Sequence, residues 1–245
     1  MRKYILLIMG AMVAFVSTSC KKDDGGHSLG TSYFSLATVD NPQKKPSGFV
    51  FTTDSGKEMW VAGTGIPSYG PKNGSRILAD YSILYDRPDS DPYDHYVRLN
   101  DYYEVLTKDA VVREDGYKGE INGDPIYVRK IWVSGGYINI DFLIESSGGT
   151  NILNLVSYTQ ADYGDGKIHL EFNRQKAFGG KLLDLGGIVS FDPDPVLPEG
   201  ARLPVDIVIH WKTSIDNMSY ELTYDKNIEE EPSAGIFKIG KAVIE

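Results

Sequence analysis

Four histidines, one cysteine and several close-set aspartates are the side chains of this sequence best suited to chemistry. His27, His95, His169 and His210 could carry protons or bind a metal, but no His-x-His or His-Glu-x-x-His spacing joins any two of them. His169 and His210 fall on the polar sides of two alternating runs, where cross-strand or solvated histidines are the ordinary case against catalytic bases. Asp86, Asp89, Asp91 and Asp94 crowd residues 86–94. Calcium favours such oxygen-rich loops, yet the spacing is not that of a helix-loop-helix site and two prolines set the local geometry, so the loop reads as a solvated acidic turn. Asp192 and Asp194, in "FDPDP", read the same way. There is no Gly-x-Ser-x-Gly elbow and no phosphate-binding loop. The glycine-rich "GTGIPSYG" (63–70) runs into a proline and reads as a turn. Acid pairs for glycoside hydrolysis cannot be picked out by spacing alone. Cys20 stands alone, which excludes an internal disulfide, a multi-cysteine zinc site and a Cys-x-x-Cys redox pair. No catalytic residue, metal ligand or cofactor is assigned, and no enzyme is expected.

The position of Cys20 is the most informative single feature. Arg2 and Lys3 precede an apolar run from Ile5 to Val16, followed by Ser17, Thr18 and Ser19. This is the order of a secretory signal. The run is about twelve residues, whereas a membrane-crossing helix needs roughly twenty. The stretch resembles a bacterial lipoprotein signal, although Ser17 stands where leucine is usual. That resemblance implies removal of residues 1–19, diacylglycerol on the sulfur of Cys20 and a further acyl chain such as palmitate on its amine. Each buried CH₂ contributes about 0.8 kcal/mol, and two or more chains hold a protein stably at a bilayer. Residues 20–32 then form the lipidated cysteine and a polar, Gly/Ser-rich tether with a reach of about 20 Å. Lys21-Lys22-Asp23-Asp24 resembles the surface-export tag of Bacteroidetes lipoproteins. It implies the outer face of the outer membrane, with the periplasmic face as the alternative.

Charge narrows the partners. The 245-residue chain carries a formal charge of −9. The leader holds Arg2 and Lys3 and no acid, so its loss takes the remainder to about −11. No basic stripe is present, which disfavours nucleic acid. The expected partners are a membrane, through the N-terminal lipid, and a protein or glycan.

Elements able to position such groups are β-strands. Sixteen tyrosines suit pleated, half-buried surfaces. Residues 33–113 contain five short runs between turn signals: 33–39, 48–53, 58–63, 75–85 and 95–106. The second and third are joined by "TDSG" (53–56) and predict a hairpin. Five strands in this length can protect their edges by closing into a small OB-like barrel; a small open sheet is the alternative. Trp60, Tyr69, Tyr93, Tyr96, Tyr102 and Tyr103 enrich this region in aromatics, for packing or for stacking on a sugar or protein partner. Residues 114–125, charged and glycine-rich, read as a linker or a long hairpin. Residues 126–245 contain seven alternating runs: 126–133, 137–146, 151–159, 167–174, 186–192, 205–212 and 219–225. In "YINIDFLIES" (137–146), Ile138, Ile140, Phe142 and Ile144 share the buried face, with Asn139 and Asp141 on the wet one. In "KIHLEFNR" (167–174), Glu171 and His169 lie on the wet face. Such alternation predicts an antiparallel β-sandwich. The end of the chain, 227–245, is ambiguous between a final strand and a docked extension.

Certain residues of the second domain carry a resemblance. "WVSGGYINIDF" (132–142) supplies a Trp followed by Tyr137-Ile138-Asn139, and "LEFNRQKAFGGKLLDLGGIVSFD" (170–192) leads to Ser190-Phe191. These resemble the NigD-like family of Bacteroidetes lipoproteins, described as an OB-like domain followed by a β-sandwich. Where the family tends to an Arg-His-Asn run, this chain has Asn173-Arg174-Gln175. The resemblance implies an all-β chain, a five-stranded OB-like barrel followed by an antiparallel β-sandwich. It also implies a lipid-anchored, non-catalytic envelope protein that binds a protein or envelope partner, with bacteriocin production or immunity as the setting. A surface glycan-binding accessory lipoprotein is the alternative.

Overall fold

The alternating runs become fourteen strands and one short 3-10 helix in the computed structural model, which describes residues 30–66, 68–86, 91–147, 149–176 and 183–227. Cys20, the tether through Leu29 and the end of the chain from 228 lie outside the described residues.

Strands β1 (Tyr33–Asp40), β2 (Val50–Thr53), β3 (Glu58–Thr64), β4 (Arg76–Asp86) and β5 (His95–Glu104) form a closed barrel in the order β1-β2-β3-β5-β4. The β2–β3 hairpin turns at Thr53–Gly56, as its sequence predicts. The register of β4 against β5 shifts twice, between Asp80 and Tyr81 and between Ile83 and Tyr85. Such bulges bend a long strand enough to close a small barrel. Phe51, Met59, Val61, Ile77, Val97 and Leu99 fill its interior, none more than 2% exposed.

The second domain is a sandwich. Its strands are β6 (Leu106–Asp109), β7 (Val111–Arg113), β8 (Tyr127–Ser134), β9 (Tyr137–Ser146), β10 (Asn151–Tyr158), β11 (Ile168–Lys176), β12 (Leu183–Asp192), β13 (Val205–Lys212) and β14 (Asn217–Tyr224). One sheet runs β14-β13-β11-β10-β7 and the other β6-β12-β9-β8. Ile138, Ile140, Phe142, Leu153, Leu155, Leu170, Phe172, Ile207 and Ile209 meet between them, all fully buried. Three joins, β7–β10, β6–β12 and β11–β13, are parallel rather than antiparallel. Alternation reports which face is buried and carries no information on strand direction. Residues 106–109 and 111–113 pair with β12 and β10, so the sandwich begins before residue 113. Residues 114–125 therefore connect β7 to β8 within the sandwich. These first two strands are four and three residues long, too short to show a period. Val105 alone separates β5 from β6; it is buried, and its N–H donates to the carbonyl of Arg76 at 2.9 Å.

The barrel packs on the outer face of the four-stranded sheet. Leu36, Leu78 and Val105 meet Trp132 and Ile188 there in one apolar cluster. Beside it lies a buried polar seam. The guanidinium of Arg76 grips Asp54 through Nη1–Oδ1 (2.8 Å) and Nη2–Oδ2 (2.6 Å). Its Nε donates to the Ser190 hydroxyl at 3.0 Å and its Nη2 to Asn139 Oδ1 at 3.1 Å. Ser134 donates to Asp54 at 2.6 Å, and the Tyr137 ring lies 4.4 Å from the guanidinium carbon. Gly135, at φ +59°, passes so close that an added Cβ would stand 2.5 Å from Asp54 Oδ1. Asn139 and Asp141, placed on the wet face by sequence, are thus 0% and 9% exposed. The barrel covers Asn139, and Arg129 pairs with Asp141.

Arg174 is buried at the opposite sheet. Its Nε donates to Asn151 Oδ1 at 2.9 Å, its Nη1 to the Pro125 carbonyl at 3.1 Å, and its Nη2 to the Glu145 carbonyl. It ties β10, β11, β9 and the approach to β8 together.

Candidate functional site

The outer face of the five-stranded sheet carries a polar, aromatic cluster. Tyr158 comes from the end of β10, His169, Glu171 and Asn173 from β11, and His210 from β13. The parallel β11–β13 register sets Glu171 opposite His210. Two connections fold over this face. The β10–β11 loop is shaped by aspartate turns, Gly164 N–H donating to Asp162 Oδ1 (3.0 Å) and Lys167 N–H to Asp165 Oδ1 (3.1 Å). It delivers Tyr163 and Asp165. The β7–β8 connection delivers Tyr117 and Asn122, and is fastened by the N–H of Asp124 on the Arg174 carbonyl at 2.9 Å. Gly123 is needed there: at φ +96°, a Cβ would meet the Arg174 carbonyl oxygen at 2.7 Å.

Sequence spacing keeps the two histidines apart; the fold brings them together. His169 Nδ1 and His210 Nε2 are 2.8 Å apart, and His169 Nε2 is 2.9 Å from Asp165 Oδ1. With both rings neutral, His169 donates from Nε2 to Asp165, so its Nδ1 must accept from His210 Nε2–H. The Tyr163 ring lies parallel to His169 at 3.7 Å and to His210 at 5.2 Å. The hydrogen bond from His169 holds the Asp165 carboxyl below its ordinary range. Burial, and then the neighbouring His169, push His210 below its ordinary value, which favours its neutral ring. Among the described residues, neither ring bonds to a serine or threonine hydroxyl, so the chain Asp165–His169–His210 lacks the nucleophile a hydrolytic triad requires.

Next to this stack, Tyr158, Tyr163, Asp162, Asp165 and Lys167 line a cleft of about 310 Å³. Lys167 is engaged with Glu221 at 2.6 Å. Glu171 is 3% exposed, against the expectation of a wet face, because the β7–β8 connection covers it. Its Oε2 accepts a long bond from the Asn122 N–H (3.4 Å), while its Oε1 and the Asn122 Nδ2 have no partner. Burial raises the Glu171 pKa, and the backbone N–H and side chain of Asn122 only partly offset it. Burial also raises Tyr158 and Tyr163, helped in both by the charge of Glu171. Sequence alone gives no sign of this cluster beyond His169 and His210, since "GYKGEINGDP" looks like a spacer.

The other candidate residues are dispersed. Cys20 and His27 lie outside the described residues, as does Asp89. His95 Nδ1 is 2.8 Å from Asp86 Oδ1. Asp91 accepts from the Tyr96 hydroxyl, and Asp94 from the Glu58 N–H at 2.8 Å. Asp192 accepts from the Asp194 N–H at 3.0 Å, and Asp194 pairs with Lys226. On the barrel, Trp60 stacks on Tyr93 (4.9 Å, 29°) and Tyr85 on Tyr96 (4.5 Å, 18°). Each stack covers one face of each ring, and Tyr85 remains 49% exposed. Tyr69 is exposed, Tyr102 packs on the barrel core and Tyr103 on the interdomain cluster.

Comparison with known proteins agrees with this architecture. Residues 36–105 match the NigD-like N-terminal OB domain and residues 110–224 the NigD-like C-terminal beta sandwich domain. A crystal structure of a protein of unknown function from Bacteroides vulgatus is similar at 26% identity, covering 84% of this chain and 97% of that one, with a TM-score of 0.67. A protein described as toxin related, from Parabacteroides distasonis, is also 26% identical over 80% of this chain and 95% of that one, TM-score 0.62. A NigD-like immunity protein from Bacteroides caccae shares the fold at 14% identity over 80% and 97%, TM-score 0.55. No curated protein matches the sequence.

Proposed function

The chain belongs to the NigD-like family, and from that premise we propose that it is a lipid-anchored, non-catalytic envelope protein that binds a protein partner in a bacteriocin-linked system. The observation that carries this reading is the cleft beside His169, where Asp162, Asp165, Tyr158 and Tyr163 are placed to hold a ligand. The immunity and toxin-related descriptions of two solved structures of similar fold support the setting. Residues 1–19 serve as a signal peptide and Cys20 as the lipid attachment point, with residues 20–32 as the tether. Among the described residues no helix is long and apolar enough to cross a membrane, and the lipid supplies the anchor in this reading. The cell-surface face of the outer membrane is the proposed location.

Metabolic labelling with palmitate, in cells expressing wild type or Cys20→Ala, tests the anchor. Label and membrane fractionation should both be lost in the variant; equal labelling of the two would overturn the anchor. Protease treatment of intact cells tests the surface location, which predicts digestion without lysis. In-cell crosslinking tests the partner, and recovery of no specific protein counts against it.

A further inference from the structure

The two unpartnered buried polar atoms among the described residues belong to one cluster. They are Oε1 of Glu171 and Nδ2 of Asn122, and the Asn122 backbone N–H donates a long bond, 3.4 Å, to the other Glu171 oxygen. A carboxylate 3% exposed with no cation beside it is costly, because burial removes its hydration and nothing replaces the lost charge compensation. A water between the two orphaned atoms would complete their hydrogen bonds but leave the charge uncompensated. A cation answers both needs. The rings around Glu171 suit one. Tyr117 and Tyr158 lie 5.8 Å apart at 42°, and the Glu171 charge helps burial raise the Tyr163 pKa. The faces of such rings attract ammonium groups. The mouth of the cleft carries Asp162 and Asp165, while Lys167 is taken up by Glu221. The net charge of −9 draws basic molecules toward the whole protein.

We propose that the Glu171 cluster, reached past Tyr158 and Tyr163 of this cleft, binds a primary ammonium group, the lysine side chain of a basic peptide, with Glu171 as its counter-ion and the rings of Tyr117, Tyr158 and Tyr163 around it. The inference rests on the partner-binding reading and names the chemistry of that partner. Entry follows from displacement of Tyr163, which is 41% exposed and is followed by Gly164 and Gly166, both at positive φ. Turning over the Asn122 amide presents its Oδ1 as a second acceptor for the ammonium.

The test is calorimetric titration of the full-length protein with acetyl-Gly-Lys-Gly-amide, with the norleucine peptide of the same shape, and with glucose. The lysine peptide should bind at least tenfold more tightly than the norleucine peptide. Glu171→Gln, which keeps the shape and removes the charge, should abolish that preference while still unfolding as cooperatively as wild type. Tyr163→Ala, on an exposed loop, should weaken lysine binding severalfold. Equal binding of the two peptides, absence of lysine binding, or a preference that survives Glu171→Gln would overturn the proposal. Saturable glucose binding lost in Glu171→Gln would also overturn it, and would assign the site to hydroxyl ligands. A protein recovered by crosslinking with no lysine preference would sink the ammonium site and leave the partner reading standing. A lysine preference with no crosslinked protein would do the reverse.

Discussion

Arg76 of the barrel and Ser190 of the sandwich are 114 residues apart in sequence, yet the Nε of one donates to the hydroxyl of the other at 3.0 Å. The same guanidinium holds Asp54 with two parallel bonds, and these two side chains are 2% and 4% exposed. A bidentate pair of this kind is strong and directional. Buried this deeply, it adds little net stability, but removing one partner strands the other.

Asp54→Ala should therefore cost about 3–5 kcal/mol in urea unfolding at neutral pH. The double variant Asp54→Leu/Arg76→Met should recover most of that loss, since no charge is then stranded. A single variant within about 0.5 kcal/mol of wild type would show that the pair does not have the role assigned to it.

Gly135→Ala should destabilise the same seam by a different route. The new methyl would stand 2.5 Å from Asp54 Oδ1 and 3.0 Å from Arg76 Nη1, at a backbone φ of +59°. Thermal unfolding should shift down by several degrees, whereas Gly136→Ala, with open space around its Cβ, should show only the penalty of its positive φ.

Glu171 makes a pH prediction. Its folded pKa is raised above the ordinary glutamate value of 4.5, with burial the leading cause. Its favourable contribution is therefore fully present below 4.5 and lost as pH rises through the folded pKa. Glu171→Gln should melt higher than wild type at pH 7, and the gap should close as pH falls toward 4.5. A gap independent of pH would mean that Glu171 is compensated in the folded protein.

His210 predicts the opposite slope. Its folded pKa lies below the ordinary 6.5, through burial first and then His169. Stability is present above 6.5 and is lost as pH falls through 6.5 toward the folded value. His210→Gln keeps a donor for His169 Nδ1, and it should flatten this acid-side loss in thermal melts between pH 7 and 5. An unchanged acid slope would exclude His210 as its source.

The barrel was legible because its strands are short, alternate cleanly and are punctuated by turns; 53–56 makes the predicted hairpin. The motif residues Trp132, Tyr137, Asn139 and Ser190 were legible as a family mark but not as a mechanism. In the folded chain they form the seam on which the barrel sits. Asn139 and Glu171 occupy polar positions of alternating strands, so period alone puts them in water. Each is buried by a segment distant in sequence, the barrel for one and the β7–β8 connection for the other. Local pattern reports which side of a strand is polar; it cannot report what later folds over that side. The His169–His210 contact was hidden likewise, since it depends on a parallel join between β11 and β13.

The passage from β5 to β6 through buried Val105 leaves no slack between the two halves of the molecule. A pull on the five-stranded sheet would pass to the barrel through this one buried residue and the seam beside it. Such a body should tumble as one particle.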